Sequence, residues 1–190
     1  SNIVGRLIYD KVSDMFFKEK PSAEKKIEEI DLKISTLNMH PQKESREIQL
    51  KMKKLNVEKE IWQARHSMDV LNKIIEEFKT QPKRIEFINQ NRKATISAID
   101  QKLEDKEIYQ YGNDNRAQLR NLQEKLTKND QNVIENLSTD FFTLIERIRV
   151  NTEKKLNNKK QELAQLESKS FELEDAFGKA IDDKGKGKQK

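Results

Sequence analysis

The sequence predicts an all-α fold: an elongated antiparallel helical bundle or coiled coil, with long helices and a short N-terminal amphipathic helix. Three observations carry that expectation. Apolar residues make up 34% of the 190-residue chain and charged residues 37%, against about 45–50% and about 25% in ordinary soluble domains. That leaves enough apolar material for a stripe on each helix and too little for a thick compact core. The chain has only five glycines and three prolines, whereas a β fold of this length needs turn residues about every 8–12 positions. Finally, apolar residues recur at helical spacing from Pro41 to Phe177.

The first helix is expected over residues 3–18, where Ile3, Val4, Leu7, Ile8, Val12, Met15 and Phe16 form one broad apolar face before Pro21 ends it. A face that wide is not left in water. The intervening charges are Arg6, Asp10, Lys11 and Asp14. Their mixed signs favour docking on protein over insertion at an anionic lipid surface, which usually selects a basic polar face. Leu7, Ile8, Val12, Met15 and Phe16 are therefore the candidate partner-binding residues. A second helix starts at Ser22 as N-cap, carries Ile27, Ile30, Ile34 and Leu37, and closes at Pro41.

The third helix, expected over 42–80, is the strongest pattern. Leu50, Val57, Ala64, Leu71 and Phe78 recur every seven residues, with Ile61, Met68 and Ile75 between them and Lys54 as the one polar interruption of the seam. A second face of Ile48, Met52, Leu55 and Trp62 implies more than one neighbour, hence a bundle. After Gln81-Pro82, a fourth helix over 83–110 presents Ile85, Ile88, Ile96, Ile99 and Leu103. Gly112-Asn113-Asp114 is a turn that would fold this helix back against the next one.

From Asn115 to Phe177 no proline or glycine intervenes. Leu119, Leu122, Leu126, Val133, Leu137, Phe141, Leu144, Ile148, Leu156, Leu163, Leu166, Leu173 and Phe177 continue the apolar pattern. Polar residues 127–132 predict either one very long helix or two in tandem, broken near Asn129. Residues 179–190, with Gly185 and Gly187 among five lysines, read as a flexible basic tail. The expected organisation is an N-terminal helix over 1–20, a long-helix bundle over 22–178 and the tail.

The residue inventory argues against catalysis. Without cysteine there is no thiolate nucleophile and no Cys-type zinc site. His40 and His66 stand 26 residues apart, outside any metal-ligand or base spacing. The scattered glycines cannot build a phosphate-binding loop. No catalytic, metal or cofactor-binding residue is expected, and no small-molecule substrate. The sequon Asn136-Leu137-Ser138 falls inside a helix, and Trp62 reads as core beside Met52 and Leu55.

Net charge is +5, from 38 basic and 33 acidic residues. Lys154, Lys155, Lys159 and Lys160 are the candidate contacts to an anionic surface. The expected function is a non-catalytic protein-interaction or scaffolding module that binds a partner protein, or itself, through helical seams. The alternative is a peripheral membrane module using the N-terminal helix and the lysine clusters. Nucleic-acid binding ranks third, since arginine is sparse and no stacking aromatics interleave. The lack of cysteine suits the cytoplasm or another reducing compartment. Ser1-Asn2 in place of an initiator methionine is how an excised fragment starts, which leaves secretion open for a longer parent chain.

Overall fold

Helix boundaries in the computed structural model follow local hydrogen-bonding groups at some places and prolines at others. The structure describes residues 2–17, 22–105 and 113–188, and side chains within 4–17, 23–105 and 116–169. Seven helices occur among the described residues: α1 (Asn2–Phe17), α2 (Ser22–Asn38), α3 (Arg46–Glu77), α4 (Gln81–Gln90), α5 (Arg92–Glu104), α6 (Asn113–Thr127) and α7 (Gln131–Lys188). No strand accompanies them there, and they pack as an all-α bundle.

α3 opens at Arg46, four residues after the position expected from Pro41. The intervening turn is held by side chains. His40 Nδ1 accepts the Gln42 N–H at 3.0 Å, and Ser45 Oγ accepts the Ile48 N–H at 3.3 Å. Ser45 thus satisfies an otherwise orphaned first-turn donor of α3, which a proline cannot do.

The expected fourth helix is two helices. Asn91 interrupts it with φ −104° and ψ 15°, and its Nδ2 donates to the Phe87 carbonyl at 2.9 Å. A side chain that competes in this way for helix carbonyls favours a break. The end of that helix at Gln110 and the turn at Gly112 lie outside the described residues. α5 and α6 nevertheless run antiparallel. Arg92 reaches the Leu126 carbonyl at 3.5 Å, while Gln123 donates to the Ile96 carbonyl at 3.2 Å and to Asp100.

Of the two expectations for residues 115–177, the tandem one holds. α6 ends in a Schellman motif, with the Asp130 N–H on the Lys125 carbonyl at 3.0 Å and the Asn129 N–H on the Leu126 carbonyl at 3.1 Å. Asn129 takes the left-handed conformation this requires, φ 57°. Asp130 then caps α7, its Oδ1 accepting the N–H groups of Asn132 at 3.0 Å and Val133 at 3.4 Å. The backbone of α7 stays helical to Lys188, past Gly178, after which the sequence predicts a tail. Each glycine costs a helix about 1 kcal/mol, and no proline stands between 113 and 188 to end it outright.

The chain divides into two compact units, each built from two stretches of sequence: Ser1–Glu19 with Asp69–Asn151, and Lys20–Met68 with Thr152–Lys190. The boundary falls inside α3 and inside α7, where no linker composition marks it.

The first unit is built around Phe78, whose ring meets Phe16, Phe87 and Phe141 edge to face at 6.5, 5.2 and 5.6 Å between centroids. Around this hub pack Val4, Ile8 and Val12 of α1, Val70, Leu71 and Ile74 of α3, Ile88 of α4, Ile99 of α5, Leu119 and Leu126 of α6, and Ile134, Leu137 and Ile145 of α7. Arg84 ties the end of α3 down. Its Nη1 donates to the Phe78 and Lys79 carbonyls at 2.8 and 3.0 Å, and its guanidinium lies 4.6 Å from the centre of the Phe142 ring. A cation there complements the negative end of the α3 dipole.

The second unit has a thinner core. Val57, Ile61 and Leu166 are buried together, with Leu50, Leu156 and Leu163 packed against them. Glu60 with Lys159, and the Leu50–Lys53 region with Lys169, pair α3 and α7 antiparallel. α2 is tied to α3 by Lys59 and Asp31 at 2.7 Å.

Candidate interaction surface

The candidate partner-binding residues of α1 are mostly committed inside their own unit. Ile8 and Val12 are buried in the core, Leu7 and Phe16 are partly buried against it, and Met15 alone is exposed. The side chain of Ile3 lies outside the described residues. Tyr9 is buried too, and that burial pushes its phenol above the ordinary value, against the opposing hydrogen bond from Ser13 and the charge of Arg6. The face that sequence reasoning offers to a partner is thus covered by α3, α4, α5, α6 and α7 side chains.

The lysine cluster on α7 divides in the same way. Lys154, Lys155 and Lys160 are exposed. Lys159 turns to α3 and pairs with Glu60 at 2.6 Å and with Glu162 at 3.2 Å. Those hydrogen bonds, Glu60 first, raise its pKa above the usual lysine value. One member of the four is therefore part of the second unit's framework.

Besides Met15 on α1 and Val150 on α7, the exposed large apolar side chains among the described residues are Leu32 of α2 and Met39 just past its end. Leu32 is 70% exposed and Met39 85%. A groove of about 460 Å³ runs between α2 and α3, lined by Leu32, Lys33, Thr36 and Leu37 from α2 and by Lys51, Lys54, Leu55 and Glu58 from α3. Thr36 Oγ1 donates back to the Leu32 carbonyl at 2.9 Å, so its hydroxyl is satisfied within α2. Lys51 pairs along its own helix with Glu47 at 3.4 Å. Lys33 and Lys54 have no carboxylate partner among the described residues.

Sequence reasoning missed this groove, although two signals pointed to it. Leu32 departs from the Ile27, Ile30, Ile34, Leu37 stripe, so it sits on the otherwise polar side of α2. Lys54 occupies a seam position where the heptad calls for an apolar residue. Of the second apolar face of α3, only Leu55 lines the groove.

A larger depression of about 730 Å³ between α3 and α7 is more polar, with Arg46, Gln49, Lys53, Asn56 and Lys169 around Leu50 and Met52. Trp62 is half-buried, stacked under the Arg65 guanidinium at 5.1 Å, beside Leu163 and Ala164. His40 serves the turn before α3. No group of three His, Asp or Glu side chains that could hold a metal occurs among the described residues, and no described helix is long and apolar enough to cross a membrane. Ser138 of the sequon is fully buried and donates to the Glu135 carbonyl at 2.8 Å. Comparison with protein-family models, curated proteins and solved structures finds no match.

Proposed function

We propose that this chain is a non-catalytic interaction module that holds a partner protein through the α2–α3 groove of its second unit. The observation behind the proposal is the contrast between the two units. The first covers the wide face of α1 with its own core, whereas the second leaves Leu32 in water beside an apolar groove. Helix-in-groove recognition uses this kind of surface, an apolar floor with a polar rim.

The alternative of membrane binding through α1 requires Val4, Ile8 and Val12 to leave the core, at roughly 1.5–3 kcal/mol for each side chain. Two measurements separate the readings. A photo-activated cross-linker at position 32 should capture a discrete protein adduct, and the same group at exposed Lys93 of α5 should not. Equal labelling from both positions would contradict the groove. Flotation of the intact chain with anionic liposomes, lost when residues 1–20 are removed, would favour the membrane reading.

A further inference from the structure

The rim of the groove says which kind of helix it takes. Its lining carries three lysines, Lys33, Lys51 and Lys54, against one acid, Glu58. Lys54 stands in the apolar seam of α3, where a lysine costs stability, and it faces the groove without a carboxylate partner among the described residues. Lys33 on the opposite wall is in the same position. The lining positions on each wall, 32–37 and 51–58, span about one and a half to two turns. A rod that fits between them contacts the apolar floor with residues three or four apart while its flanks meet ammonium groups on both sides.

Resting on the reading of this groove as the interaction surface, we infer that its occupant is an acidic amphipathic helix of another protein, with aliphatic anchors at i and i+3 or i+4 and Asp or Glu beside them. A basic helix would bring like charges against Lys33 and Lys54, which disfavours wrong partners strongly. A second copy of α2 is mixed in charge, with Lys25, Lys26 and Lys33 among Glu24, Glu28, Glu29 and Asp31, so it offers the rim its own lysines as well as acids. A bilayer presents a plane to a surface that is concave between two helices.

The test uses the full chain and two labelled peptides of about 18 residues, each with leucines at i, i+3, i+4 and i+7. One carries glutamate at the other positions and one carries lysine. Anisotropy titrations should show the glutamate peptide binding at least about tenfold tighter, with a preference that shrinks as salt rises. Lys33→Glu should remove most of that preference. Lys33 is exposed, so the variant keeps the fold, and circular dichroism checks this. Leu32→Ser, also at an exposed position, should weaken binding of the glutamate peptide.

If the lysine peptide binds as tightly and Leu32→Ser weakens it, the acidic partner is wrong and the groove stands. If Leu32→Ser leaves both peptides unchanged, the groove reading falls with it. Self-association in sedimentation, or binding to phosphatidylserine vesicles, that depends on Leu32 and exceeds peptide binding would overturn the choice of occupant.

Discussion

Leu71 lies at the centre of the first unit, 1% exposed, two residues from exposed Lys73 on the same helix. An aspartate at 71 would be a buried carboxylate without a partner. Leu71→Asp should therefore cost about 3–5 kcal/mol, and Lys73→Asp less than about 0.5 kcal/mol. Thermal melts followed by circular dichroism separate the two; equal melting temperatures would show the seam to be misplaced. Gly5 gives a change in the opposite direction. A Cβ there would lie 3.8 Å from Leu144 Cδ2, an ordinary contact, and glycine is a poor residue inside α1. Gly5→Ala should stabilise by about 0.5–1 kcal/mol in urea titration.

The heptad made Leu71 and Phe78 legible as core. It did not reveal Val70, Ile74, Ile134 and Ile145, all buried. A seam drawn for one partner helix is narrower than the face a helix presents when several neighbours surround it. Ser138 is buried with its hydroxyl turned back onto its own helix, a choice that periodicity of apolar residues does not register.

Several breaks between elements are set by side chains that satisfy backbone groups, whereas α4 opens with Pro82 in its first turn and without a side-chain cap. Asn129 holds φ 57° between α6 and α7, a conformation that glycine takes freely and a Cβ-bearing residue resists. Asn129→Gly should leave stability unchanged or slightly raised, and Asn129→Ala should lower it by about 1 kcal/mol in the same titration. Asn129 was readable as a break because it sits in a polar run. The start of α3 was misread because Pro41 is a permissive helix start, while Ser45 supplies an actual acceptor. The split at Asn91 depends on a side chain bonding four residues back, which no composition rule exposes.

Between α3 and α7, the pair of Lys159 and Glu60 is half-buried and short. A double-mutant cycle with Lys159→Met and Glu60→Gln should give a coupling of about 0.5–1 kcal/mol. Because its pKa is raised in the folded chain, the contribution of Lys159 is fully present below the ordinary lysine value of 10.5 and is lost as pH rises through the higher folded value. The stability difference between the parent chain and Lys159→Met should thus hold from neutral pH to about 10 and shrink above it. A difference that shrinks in the neutral range would contradict this assignment.

On the scale of the whole chain, two units share α3 and α7 without a linker. Helix content and class were legible because periodicity and the scarcity of glycine and proline act along the entire sequence. The division was not, because a boundary inside a continuous helix leaves no Gly, Pro or composition change to read. The groove proposed as the binding surface escaped for a related reason. An amphipathic face is equally apolar in sequence whether its own unit covers it, as with α1, or leaves it open, as with Leu32. Only the packed structure distinguishes them.

Hydrogen–deuterium exchange on the full chain, with and without the glutamate peptide, tests this contrast most directly. Slowed exchange on addition of peptide should be confined to α2 and to residues 50–58 of α3, with α1 unchanged and already protected by its core. Slowing centred on α1, with α2 unaffected, would contradict the account.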